Sequence, residues 1–134
     1  MDNTQTELTQ EGALRAYAKM LNTLDADVLE PLLAEEFVYE SQTVFSALES
    51  KRAYLDYIRA KLQTIHNSGA TVFAEIGEID AYGEVQPCVV LAQNSAENLV
   101  GFVLARVEAG KINRLDLCIV PLPQAARRTG EYPI

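Results

Sequence analysis

Residues 99–120 read LVGFVLARVEAGKINRLDLCIV, and their pattern decides the fold. Two apolar runs rich in strand-favouring residues, at about 98–107 and 112–120, flank Glu108-Ala109-Gly110-Lys111, which reads as the tight turn of an antiparallel hairpin. Just upstream, about 71–80 and 85–93 have the same character, so four strands follow one another with no helix between them. Helical spacing occurs only earlier in the chain.

Leu14, Tyr17, Ala18, Leu21 and Leu24 recur at helical spacing and predict a first amphipathic helix ending near Asn22 to Asp25. Asp27 is expected to cap a second helix that buries Val28, Leu29, Leu32 and Leu33. Pro31 lacks the N–H of a helix interior, so that element is expected to be short or distorted. Phe37-Val38-Tyr39-Glu40-Ser41 alternates as a strand. Ser50 then suits the N-cap of a third helix with Tyr54, Leu55, Ile58, Leu62 and Ile65 as its apolar stripe, and Gly69 ends it. This order predicts an α+β domain over residues 1–134, three helices packed on a strongly curved, mainly antiparallel sheet, with a pocket between the two layers. Short polar tails are expected at about 1–7 and 121–134, the second set off by Pro121 and Pro123.

The hairpin also says which side of the sheet is dry. If its turn pairs Val107 with Ile112, strict alternation puts Val100, Phe102, Leu104, Leu115, Leu117 and Ile119 on one face, with Arg106 and Asn113 at its end. The other face carries Leu99, Gly101, Val103, Ala105, Arg114, Asp116 and Cys118. The first is expected to meet the helices, and the second, with its small residues and its Arg114/Asp116 pair, to pack against a second copy in a homodimer.

Of the 134 residues, 49% are hydrophobic and 22% charged, the balance of a globular chain. A net charge of -8 disfavours nucleic acid and anionic membrane surfaces as partners. The polar, acidic start MDNTQTELTQ lacks the basic and apolar regions of a signal peptide, and no apolar run approaches the roughly 20 residues that cross a bilayer. A cytoplasmic protein is expected. Cys88 and Cys118 stand alone in strand patterns and read as buried, reduced thiols. No metal-ligand spacing, phosphate loop or nucleophile elbow is present, so no metal or cofactor is expected.

Leu14-Arg15-Ala16-Tyr17, then Leu32-Leu33-Ala34-Glu35-Glu36-Phe37-Val38-Tyr39-Glu40-Ser41, then Ser50-Lys51 opening a helix, resemble the nuclear transport factor 2-like superfamily. Within it the chain is similar to the SnoaL-like polyketide cyclase and ketosteroid isomerase-like branch, and Gly110-Lys111-Ile112 is similar to the turn before that branch's last strand. The resemblance implies a cystatin-like fold with a cone-shaped pocket. It also implies that Tyr17 stands where the isomerase has its oxyanion-binding tyrosine, Ser41 where it has its basic aspartate, and Phe102 where it has the protonated aspartate. An unassisted serine is a poor base and phenylalanine has no exchangeable proton, so the isomerase chemistry does not carry over.

The expected pocket is lined by Tyr17, Tyr39, Ser41, Tyr57, Phe102, Leu104 and Leu115, an apolar box with a few hydroxyls suited to a small apolar organic molecule carrying a carbonyl or hydroxyl. Core packing competes with this reading for Tyr17 and Tyr57, because aromatic stripes at helical spacing are mostly core. His66, the lone histidine, suits the helix C-terminus where it stands. The acidic pair Glu35/Glu36 and the acidic trio Glu75/Glu78/Asp80 read as solvated, and Arg114 with Asp116 as an ion pair. Three functions fit: a binding protein for a small ligand; an isomerase, cyclase or dehydratase with a nonstandard base; or a dimeric interaction module.

Overall fold

The computed structural model of the protein describes residues 7–44 and 46–134. Helix α1, Gln10–Thr23, starts where the Thr9 hydroxyl accepts the Gly12 N–H at 2.9 Å, and it ends at Leu24 in the left-handed region. The expected second helix is two 3-10 turns, Ala26–Val28 and Glu30–Leu32. Asp25, not Asp27, caps the first, its carboxylate accepting the Asp27 N–H at 3.0 Å. Pro31 sits inside the second, where a missing N–H leaves nothing unpaired. Helix α2, Lys51–Ser68, has the expected cap, Ser50 accepting from the Ala53 N–H, and the expected stop at Gly69.

Strands β1 (Leu33–Ser41), β2 (Val72–Ala81), β3 (Glu84–Gln93), β4 (Leu99–Glu108), β5 (Lys111–Cys118) and β6 (Arg127–Arg128) form one sheet in the order β1-β5-β4-β3-β2-β6. Among the described residues only the β1–β5 pair is parallel. Ala109 and Gly110, both at positive φ, make the tight turn between β4 and β5.

That turn pairs Val107 with Ile112 as expected, but the alternation breaks immediately beyond it. The register shifts between Arg106 and Val107, and Arg106 pairs with Arg114, so Asn113 is an extra residue on β5. One inserted residue flips every later side chain to the other face. Phe102 and Leu104 therefore do not share a face with Leu115 and Leu117, contrary to expectation. They stand beside Cys118 and Asp116 on the face away from the helices, here called the outer face. Gly101, Val103 and Ala105 are on the helix side with Leu115 and Leu117. The small residues expected to admit a second copy are thus not on the outer face; Arg114, Asp116 and Cys118 are.

The main core lies between the helices and the inner sheet face, where Phe37, Ile76, Val89, Val103, Ile112 and Leu115 meet Leu14, Leu21, Tyr54, Ile58 and Leu62. A second cluster of Ile79, Ala81, Cys88, Val90, Phe102, Leu104 and Cys118 is buried on the outer face. The chain covers part of it with its own C-terminal segment. Residues after Pro121, expected as a polar tail, run through a 3-10 turn (Pro123–Ala125) that packs on β4 with Pro123 buried, then form β6 against Gly77 and Glu78. The N-terminal tail, Glu7 aside, falls outside the described residues. Among the described residues no helix is long and apolar enough to cross a membrane.

Candidate functional site

The tyrosines expected at the pocket do come together. Tyr39 from β1 packs on Tyr54 and Tyr57 from α2, with ring centroids 5.2 and 5.7 Å apart, and Tyr54 lies 4.9 Å from Phe37. Tyr17 joins them from α1. Burial first, and neighbouring phenols second, push the pKa values of Tyr17, Tyr39 and Tyr54 upward, so all three hydroxyls stay neutral donors at neutral pH. The Tyr54 hydroxyl is buried and has no hydrogen-bond partner among the described residues. Tyr57 is half-exposed at the rim. Ser41 is engaged locally: its hydroxyl lies 2.7 Å from the Thr43 hydroxyl and accepts the Thr43 N–H. Leu115 is fully buried in the core.

The large cavity is elsewhere. A half-open cleft of about 950 Å³ lies where the sheet splits, with β4, β5 and the end of β1 on one side and the β2–β3 hairpin on the other. Outer-face Leu104, Arg114, Asp116 and Cys118 line it together with helix-side Ala105 and Leu117 and with Leu8 and Gln10 at the start of α1. None of the four tyrosines lines it. It exists because β3 pairs with β4 only from Val89↔Val103 to Ala92↔Leu99, leaving residues 84–88 unpaired on that edge. Pro87 cannot donate a ladder hydrogen bond, which suits the point where pairing stops.

On the β4–β5 side of the cleft stands Arg114. Its Nε donates to both Asp116 carboxylate oxygens at 3.0 and 3.1 Å, its Nη2 to Asp116 Oδ1 at 3.0 Å, and Nη2 also to Glu40. The register makes this arrangement, since Glu40 and Asp116 are opposite each other across the parallel pair and Arg114 lies two residues away on the same face. Arg106, Gln86 and Glu84 add further polar groups, and Leu104 and Leu117 an apolar portion. At one end the Gln42 amide closes the wall: its Oε1 accepts the Ile119 and Val120 N–H groups at 2.6 and 3.0 Å, and its Nε2 donates to the Tyr82 hydroxyl at 2.6 Å. With carboxylates in excess of guanidinium groups, the lining offers acceptors to ligand hydroxyl or amino donors.

Of the seven residues expected to line one pocket, Tyr17, Tyr39, Tyr57 and Leu115 lie on the helix side. Ser41 and Leu104 line the cleft, and Phe102 is buried beneath it in the outer cluster. Pattern does not mark Glu40, Gln42, Tyr82 or Gln86 as site residues, and strict alternation puts Arg106 at the end of the helix-facing side, whereas it pairs with Arg114 on the opposite face. A signal for Tyr82 is present, because Ala81-Tyr82-Gly83-Glu84 between two strand runs is short enough for a hairpin turn. His66 lines a separate cavity of about 480 Å³ with Arg59 and Asp25, away from the cleft. Arg59 is committed there to Asp27 and Glu30 at 3.0 and 2.6 Å. Among the described residues no group of three or more His, Cys, Asp or Glu could hold a metal ion.

No protein-family model matches the chain, and no curated protein matches it. Solved structures do. An NTF2-like protein of unknown function from Mesorhizobium loti superposes with a TM-score of 0.60 at 18% identity, over 96% of this chain and 98% of that one. A SnoaL-like protein of unknown function from Burkholderia thailandensis gives 0.56 at 13% identity, over 93% and 100%. A protein provisionally named a ketosteroid isomerase, from Kribbella flavida, gives 0.57 at 19% identity, over 81% and 76%. Identities this low carry the architecture and not the chemistry. The chain has the NTF2-like fold, α+β with helices packed on a six-stranded, mainly antiparallel sheet, and SnoaL-like and isomerase-named proteins are among its structural neighbours.

Proposed function

We propose that the protein binds a small organic molecule in the cleft between the β4–β5 side and the β2–β3 hairpin. The observation that carries this is the Glu40–Arg114–Asp116 cluster standing in a cavity of about 950 Å³, a volume within the usual range for small-molecule sites. The guanidinium turns Nε and Nη2 to the two carboxylates, and with Glu84 the lining carries three carboxylates against two guanidinium groups. A neutral or cationic ligand with hydroxyl or amino donors fits this lining better than the apolar carbonyl compound that the sequence suggested.

A second reading keeps the ligand at the tyrosine cluster, favoured by the buried, unpartnered Tyr54 hydroxyl. The isomerase alternative has less support. Ser41 bonds to Thr43, and the helix-facing residues of β4 nearest Phe102 are Gly101 and Val103, neither of which has a proton to give.

Native mass spectrometry of protein purified from its own cells separates these readings. Under the proposal a bound small molecule is present, Asp116→Asn strips it, and Tyr54→Phe leaves it in place. Loss through Tyr54→Phe but not Asp116→Asn selects the tyrosine cluster. Bare protein under all conditions rejects both. Pairing of two copies through the outer face belongs to the same proposal, because it would close over the cleft; sedimentation at micromolar concentration should then give two subunits, and a persistent monomer rejects that part.

A further inference from the structure

We propose that the outer half of the β2–β3 hairpin is a hinged lid on this cleft, latched by Tyr82. The inference rests on reading the cleft as the ligand site, but the motion itself is measurable without ligand.

Strands β2 and β3 pair along their whole length, from Val72↔Gln93 to Ala81↔Glu84. Their lateral support is much shorter. On one side β4 reaches only to Val89, and on the other β6 bonds only Gly77 and Glu78. Among the described residues, 79–88 are therefore a two-stranded arm with no third strand on either edge, a unit that is marginal by itself in water. The hinge falls where both neighbours end, near Gly77–Glu78 and Cys88–Val89.

Two things hold the arm down. Beneath it, Ile79, Ala81 and Cys88 pack on Phe102, Leu104 and Cys118. At its tip, Tyr82 takes a left-handed backbone conformation beside Gly83, and its hydroxyl accepts from Gln42 Nε2 and donates to the Val120 carbonyl. Tyr82 is 58% exposed, so water can replace both hydrogen bonds when the tip lifts. Glu84 and Gln86 line the cleft from the arm, and lifting it would carry them away from Arg114 and Asp116. Closed and open arms are the two states of a local opening that leaves the helix-side core intact.

The two cysteines report on it, because Cys88 is on the arm, Cys118 is on the body, and both are buried when the arm is closed. With ligand-free protein, the rate of N-ethylmaleimide reaction at each thiol is followed by mass spectrometry as urea is added below the unfolding transition. The lid predicts labelling of both thiols with a urea dependence well below that of global unfolding, and a rise of roughly fivefold in Tyr82→Phe without a matching loss of global stability. Labelling whose urea dependence equals that of global unfolding overturns the lid. Should Tyr82→Phe fail to fold, the wild-type urea dependence decides the point alone. Failure of the binding proposal would appear instead as bare protein in the native mass spectrum, with the labelling result unaffected.

Discussion

At the scale of single residues, burial controls ionisation in this protein. It is the first cause raising the Cys88 thiol to about 12 and the Cys118 thiol to about 11. In an unfolded chain a thiol titrates at about 8.5. A group whose pKa is higher folded than unfolded contributes stability that is complete below the unfolded value and is lost as pH climbs toward the folded one. The urea midpoint should therefore fall as pH rises from about 8.5 toward 11. The buried tyrosines, raised in the same sense, add to the fall only above about 10, the ordinary phenol value. A Cys88→Ala/Cys118→Ala double variant should thus flatten the curve between about pH 8.5 and 10 and leave the steeper part above it. An unchanged slope in that window would mean that the thiols are not the groups responsible. Both were legible in the sequence as buried thiols, since each stands in an apolar strand pattern with no partner spacing.

Among the elements, the helices were the most legible, because their signals are local. Ser50 and Gly69 bound α2 as their chemistry demands. Strict alternation misassigns the faces of β4 because the bulge at Asn113 has no side-chain signature, and both alternating sets of β4 itself are apolar enough to face a core. Either register would have looked dry. The observed one makes a sharp prediction at Gly101, which sits on the helix side opposite Leu91. A Cβ there would lie 3.0 Å from the Cys118 carbonyl oxygen and 3.3 Å from Leu117 Cδ1, and the backbone atom cannot move aside alone. Gly101→Ala should cost about 1–3 kcal/mol by urea denaturation, through overpacking between β4 and the end of β5. The unshifted register would put residue 101 on the face away from Leu117 and make the substitution nearly neutral, so the measurement tests the bulge itself.

Over the whole molecule, the C-terminal segment is the part that composition most concealed. Residues 121–134 are rich in proline and polar groups, and nothing in their periodicity marks a strand. Their role depends on distant partners that a local reading does not see. Arg128 donates to Glu75 at 2.7 Å, and the other Glu75 oxygen accepts the Gly130 N–H at 2.7 Å. The Arg15 guanidinium holds Glu131 at 2.6 and 2.9 Å, and Asn22 Nδ2 donates to the Pro133 carbonyl. Glu75 was expected to be solvated, yet its side chain is only 4% exposed, while that of Arg128 is 32% exposed. Removing the partner of a buried carboxylate leaves an uncompensated charge, whereas removing one member of an exposed pair leaves two solvated groups. Arg127 supplies the comparison within the same two-residue strand: it pairs with Glu78 at 2.9 Å, with both side chains more than half exposed. Arg128→Met should therefore lower unfolding stability by about 2–3 kcal/mol, discounted from the fully buried case because the arginine is partly in water. Arg127→Met should change it by less than about 0.5 kcal/mol. Equal effects from the two variants would mean that Glu75 reaches water in solution and that the segment is held by its backbone pairing alone. The expected contrast would make this buried ion pair the anchor of the strand that closes the sheet's far edge.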